Sequence, residues 1–186
     1  MGDYAMEKFE KMVTYFNEPG LKNTEDVIQA VLERVKEGDI KTVIVASTSG
    51  ATGVRFARAF KGIAEVIAVS YEAMNSENKW EIVRLGAKAL EKTHLPLEAK
   101  EREAIKNSFY TLGQGFKVAV EVILIAADKE AVTPYKDVIG VGGTDTGADT
   151  AIVARATTSE EAFGEDKKKK LEVREIIAMP LKKMWW

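Results

Sequence analysis

Residues 42–53 read TVIVASTSGATG, and this stretch decides the fold. Its first five residues, Thr42-Val43-Ile44-Val45-Ala46, form a β-branched run with no polar alternation, the pattern of a strand covered on both faces. Ser47-Thr48-Ser49-Gly50 interrupts the run, and residues 51–60 resume at helical spacing before Lys61-Gly62. A buried strand that hands straight over to a helix is the repeating unit of a parallel sheet flanked by helices.

The same alternation extends in both directions. Upstream, residues 13–16 (VTYF) read as a short strand closed by Glu18-Pro19-Gly20. Asn23 then offers an N-cap with Asp26 three residues on, and Val27, Ile28, Val31, Leu32 and Val35 follow at helical spacing up to Gly38. Downstream, strands are expected at 66–69, 138–141, 151–154 and 173–179, with a weaker one at 87–93. Helices are expected at 77–85, at 98–109 and, much more buried, at 116–129. Gln114, Lys117, Glu121 and Asp128 make one narrow polar stripe on that last helix. The expectation is one α/β domain over residues 1–186, a three-layer α/β/α sandwich on a mostly parallel sheet. Its core spans about 13–180, with an N-terminal extension at 1–12 and a tail at 181–186.

Composition removes several function classes. Lys and Arg number 27 against 29 Asp and Glu, so nothing suggests the clustered basic face of a nucleic-acid binder. There is no cysteine and a single histidine, His94, which excludes thiolate chemistry, disulfides and a multi-histidine metal site within the chain. No apolar signal core opens the chain, and the longest apolar stretch, 118–127, is interrupted by Glu121 and falls short of the ~20 residues a bilayer requires. A cytoplasmic protein without a membrane partner is expected. The run 166–170 (DKKKK) reads as a solvated loop. Trp80, Trp185 and Trp186 suggest self-association into a homo-oligomer.

Ligands of open α/β sheets bind beyond the carboxyl ends of the strands. Two loops stand out there. Ser47, Thr48, Ser49, Gly50, Ala51 and Thr52 join a buried strand to a helix start, where unpaired N–H groups and the helix dipole suit a phosphate dianion. No Gly-Lys-Ser/Thr follows, so this is not a Walker A loop. Its plain alternative is an ordinary serine N-cap. The second loop runs from Gly142, Gly143 and Thr144 through Asp145-Thr146-Gly147-Ala148-Asp149-Thr150. It reads either as backbone wrapped around a ligand or as a wide turn between adjacent strands.

Together, FNEPGLKNT at 16–24, VASTSG at 45–50, QGFKV at 114–118, GGTDTGADTA at 142–151 and IAMP at 177–180 resemble the C-terminal domain of pyruvate kinase. They are more similar still to the free-standing archaeal and bacterial family of pyruvate kinase C-terminal-domain-like proteins, in the same order over nearly the whole chain. The resemblance implies the α/β/α sandwich and a flavin mononucleotide (FMN) ligand. It adds Asn23, Thr24, Gln114 and Lys117 as flanking contacts. The segment between Ser70 and Leu112 departs from the relatives, being shorter and lacking their glycine-rich stretch, while His94 matches a family histidine. The extension at 1–12 and the tail Trp185-Trp186 also look peculiar to this chain.

Three functions remain open: a binding or regulatory module for a phosphorylated ligand, a flavin-dependent oxidoreductase, and a protein that senses or acts on a sugar phosphate. The pyruvate kinase reaction itself needs a barrel domain for which 186 residues leave no room. His94, Tyr71 and Asp149 are the only acid–base candidates near the expected pocket, with His94 more often structural in such a position. Lys117 and Glu121, four apart, read first as an intrahelical ion pair, although either could face the ligand.

Overall fold

The computed structural model describes residue 8 and residues 10–185. In chain order the main elements are β1 (Thr14–Phe16), α1 (Thr24–Lys36), β2 (Thr42–Ala46), α2 (Ala51–Ala59), β3 (Glu65–Val69), α3 (Ser76–Arg84) and β4 (Lys88–Leu90). There follow α4 (Glu103–Tyr110), α5 (Gln114–Asp128), β5 (Asp137–Gly142), β6 (Thr150–Arg155) and β7 (Val173–Pro180). The strands make one sheet in the order β1-β7-β6-β5-β2-β3-β4. β6 runs antiparallel to both its neighbours, and every other pairing is parallel.

β2 lies between β3 and β5, so Val45 is in register with Ala68 on one side and Val141 on the other. Its side chains divide between two cores, as pleating requires. Val43 and Val45 pack with Val27 and Val31 of α1, Phe56 of α2 and Ile82 of α3. Ile44 points the opposite way, into a cluster with Ala119, Val120 and Ile123 of α5. Helices therefore cover both faces. Full burial of each such side chain contributes about 1.5–3 kcal/mol relative to exposure.

Two glycines of β5 explain why α5 sits so low on the sheet. A Cβ at Gly140 would lie 2.5 Å from the Ala119 carbonyl oxygen, and one at Gly142 only 2.1 Å from that of Gly115. The close approach brings the start of α5 down onto the end of β5. No helix among the described residues is long and apolar enough to cross a membrane.

Three expectations change. The helix expected over 98–109 is broken into short 3-10 turns at Pro96–Glu98 and Lys100–Arg102 followed by α4, because Ala99 is extended (φ −61°, ψ 135°). The weak strand at 87–93 contracts to Lys88–Leu90. Asn23 stands at the N-cap of α1 but does not cap it; its amide donates backward to the Glu18 carbonyl at 2.8 Å.

Candidate functional site

β2 ends at Ala46, and the chain turns into α2 through a left-handed Gly50 (φ 86°). No larger residue fits there, since a Cβ would fall 2.7 Å from Cβ of Asn78. Ser47 Oγ accepts a hydrogen bond from the Gly53 N–H at 2.8 Å and so takes one of the free donors of the first turn. Ser49 Oγ accepts only weakly, from Ala51 N–H at 3.4 Å. The N–H groups of Thr48, Ser49 and Thr52 make no hydrogen bond to any described residue.

The carbonyls of the same loop are turned the other way. Ser70 Oγ lies 3.1 Å from the Thr48 carbonyl and 2.8 Å from that of Glu72, and shares its one proton between them. The Ser49 carbonyl accepts from the Asn75 N–H at 3.2 Å and from Asn78 Nδ2 at 3.0 Å. With its oxygens bonded backward to the end of β3 and the start of α3, the loop presents donors outward. That is the polarity of an anion cradle. Thr48, Ser49 and Ala51 are exposed, while Ser47, Gly50 and Thr52 form the buried floor. None of residues 46–53 is a lysine or arginine, so an anion here would be met by backbone dipoles.

The second loop leaves the neighbouring strand, β5, one strand spacing (~4.8 Å) away. It is the wide connection between two adjacent antiparallel strands, one of the two readings left open by the sequence. Asp149 latches it. The carboxylate, with 0% exposure, accepts from the Gly20 and Thr144 N–H groups at 2.9 Å each through Oδ2, and from Thr150 Oγ1 at 2.8 Å through Oδ1. Thr24 Oγ1 accepts from Ala148 N–H at 3.0 Å and donates to the Leu21 carbonyl at 2.7 Å. Gly147 (φ 81°) allows this, because a Cβ would lie 2.6 Å from Thr24 Oγ1.

The structure thus brings Ser47 to Thr52, Gly142 to Thr144 and the α5 start at Gln114 to one rim of the sheet. Asn23 and Thr24 join that rim behind the Asp149 loop, where their side chains are engaged by backbone. Gly142 serves chiefly as the seat for Gly115. The Lys117 ammonium pairs with Glu121 at 2.7 Å and Glu98 at 2.9 Å, so the intrahelical pair is present and is extended by a third residue. Burial opposes charge on Lys117, but the field and hydrogen bond of Glu121, joined by Glu98, more than offset it and raise its pKa.

The backbone at His94 adjoins this rim, since Thr93 donates to the Ser70 carbonyl through its N–H at 3.2 Å and its Oγ1 at 3.1 Å, but the His94 ring is engaged elsewhere. Its Nε2 meets Asp128 Oδ2 at 2.8 Å, at the last residue of α5, about 20 Å along the helix from Gln114. Asp128 also accepts the Ser159 N–H, which completes a structural clasp at the last residue of α5. Tyr71 is exposed, and Asp149 is consumed by its three bonds. Sequence reading missed Ser70, Asn75 and Asn78, which aim the cradle. Asn75, just before a helical pattern, is a cap signature, and its Oδ1 accepts from Glu77 and Asn78 N–H. Among the described residues no group of three or more metal-binding side chains converges. Trp80 and Trp185 are exposed, Arg84 lies 5.4 Å from the Trp80 ring centroid, and Trp186 falls outside the described residues. No family model matches the chain.

Proposed function

We propose that this chain binds a small phosphorylated molecule, with FMN the leading ligand, and that the phosphate sits on residues 47–52. The observation that carries this reading is the polarity of the β2–α2 loop: its carbonyls at 48 and 49 are bonded backward, and the N–H groups of Thr48, Ser49 and Thr52 have no acceptor among the described residues. Such donors, at the positive end of a nine-residue helix, favour a dianion without a basic side chain. FMN as the occupant rests on the resemblance to the pyruvate kinase C-terminal-domain-like family.

A binding or regulatory role is favoured over a flavin-dependent oxidoreductase. His94 is tied to Asp128 and Asp149 is spent in hydrogen bonds, while the exposed Tyr71 has no side-chain partner among the described residues to tune it. The test has two parts. Mass spectrometry of the molecule released from natively purified protein should find FMN; a sugar phosphate would instead support the sensing role. Calorimetric titration of Ser49→Asp should show a folded protein that has lost FMN but keeps any affinity for riboflavin, since a carboxylate now stands where the phosphate must go. Wild-type FMN affinity in Ser49→Asp would place the phosphate elsewhere.

A further inference from the structure

The residues after β7 do not leave the domain; they run along the rim that carries the cradle. The Leu181 N–H donates to the Phe16 carbonyl at 2.7 Å, and Lys182 pairs with Glu18 at 3.0 Å. The Lys183 ammonium turns back to the Pro180 carbonyl, while its stem lies on Gly113, Cδ being 3.3 Å from where a Cβ would stand. The Met184 carbonyl then accepts the N–H of Gln114 at 3.0 Å, the first residue of α5. Burial lowers the Lys183 pKa, and Asp149 is the one charge that opposes the shift. The segment thus reaches from the edge strand to the point where α5 meets the Asp149 loop.

Gln114 is the residue held at that junction. On one side Gly113 touches Lys183; on the other, the absent side chain of Gly115 leaves room for Asp149 and Thr150, which a Cβ would approach to 2.3 and 2.4 Å. Among the described residues that are not exposed, Gln114 Oε1 is the one buried side-chain nitrogen or oxygen without a hydrogen-bond partner. Buried polar atoms are almost always paired, and an exception in a candidate site is an acceptor waiting for a donor. We propose that residues 181–185 form a strap that completes the ligand site, holding Gln114 so that Oε1 accepts a hydrogen bond from an N–H or hydroxyl of the bound molecule. This rests on the phosphate reading of residues 47–52. A phosphate dianion offers only acceptor oxygens and has no hydrogen to donate, so the donor belongs to the organic body of the ligand and not to its phosphate. FMN carries donors of both kinds.

The test uses FMN and inorganic phosphate as separate probes, on full-length variants checked for wild-type circular dichroism. Gln114→Leu removes the acceptor and should weaken FMN about tenfold while leaving inorganic phosphate unchanged; a single hydrogen bond is of that size. Gln114→Glu keeps an acceptor and should stay within about twofold. Loosening the strap with Leu181→Gly, Lys182→Gly and Lys183→Gly together should reproduce the Gln114→Leu loss. Combining both changes should add little, because they act through one contact. Unchanged FMN affinity in Gln114→Leu, additive losses, or equal loss of inorganic phosphate would each overturn the strap. Ser49→Asp separates the two ideas: it should abolish binding of both probes. If it binds FMN normally while Gln114→Leu does not, the phosphate placement fails and the strap stands. If the unaltered chain binds neither probe, both fail.

Discussion

Arg34 holds Asp39 through two parallel hydrogen bonds, 2.7 Å from Nη1 and 3.0 Å from Nη2. The same guanidinium, itself buried, reaches Glu175 on β7 with Nε at 2.8 Å. One side chain on α1 therefore ties the helix to the loop that follows it and to the strand beneath it. Its hydrogen bonds hold the Asp39 carboxyl at about 2, below its ordinary range, and depress Glu175 in the same way. Both groups have a folded pKa below the unfolded one. Their stabilisation is present above about pH 4.5 and is lost as pH falls toward 2. Asp39 is largely exposed, so water screens its share to about 1 kcal/mol or less. Urea titrations of Asp39→Asn should show a deficit of that size at pH 6 that closes by pH 2. A deficit independent of pH would mean that the carboxylate charge is not the cause.

The Lys117–Glu121 pair predicts its own rescue. Lys117→Met leaves a buried carboxylate facing no cation and should cost about 3 kcal/mol at neutral pH. Adding Glu121→Leu removes the stranded charge and should recover most of that loss, though the Leu97 N–H then forfeits its bond to Glu121 Oε1. The raised pKa of Lys117 places its contribution below the unfolded value near 10.4, with loss on the alkaline side. If the double variant also binds FMN normally, Lys117 supports the site without touching the ligand.

Asp149→Ala should be among the most damaging single changes, because it strands two backbone N–H groups and the Thr150 hydroxyl. A loss of about 3 kcal/mol is expected, given that hydrogen bonds to a charged group contribute about 1.5–3 kcal/mol each. Hydrogen exchange should quicken at Gly20 and Thr144 together. Faster exchange at only one of them would show that the carboxylate does not join the two loops.

At the cradle, Ser47 and Gly50 should behave differently from Ser49. Ser47→Ala deletes the acceptor for Gly53 N–H and should cost about 1 kcal/mol of stability. Gly50→Ala meets both a left-handed backbone and the Asn78 side chain, so thermal melting should shift further than for Ser47→Ala. Ser49→Asp should melt near the wild type, its effect confined to the anion. Equal melting losses for all three would mean that the loop is simply a fragile turn.

Much of the fold was legible because its signals are local. The run Thr42–Ala46 is a strand with the bounds read from sequence, and the apolar stretch 118–127 is the buried half of α5. The sense of β6 was only implicit: the seven residues between Gly142 and Thr150 are too few for a parallel crossover, so once β6 pairs with β5 it must run antiparallel, and that the two are neighbours is a tertiary fact. The β2–α2 loop was picked out by its hydroxyls and glycine, yet the outward set of its donors depends on the carbonyl contacts of Ser70, Asn75 and Asn78. Those partners belong to a different βα unit, and spacing along the chain cannot reveal them. His94 was read first as structural, and its ring pairs with Asp128, while residues 94–98 run back along α5 toward Lys117.

The pairing of β1 with β7 bears on how the chain is made. Thr14 lies in register with Ala178, and among the described residues β7 is the only strand that pairs with β1. During synthesis, β1 must wait until β7, ending at Pro180, has left the ribosome before its partner exists. The middle of the sheet, β2 with β3, has no such delay, its strands being joined by one short helix. Growth should therefore begin at the centre and end with β1 closing on β7, a late step set by sequence separation. Until then the backbone edge that β7 will cover stays open to other nascent chains.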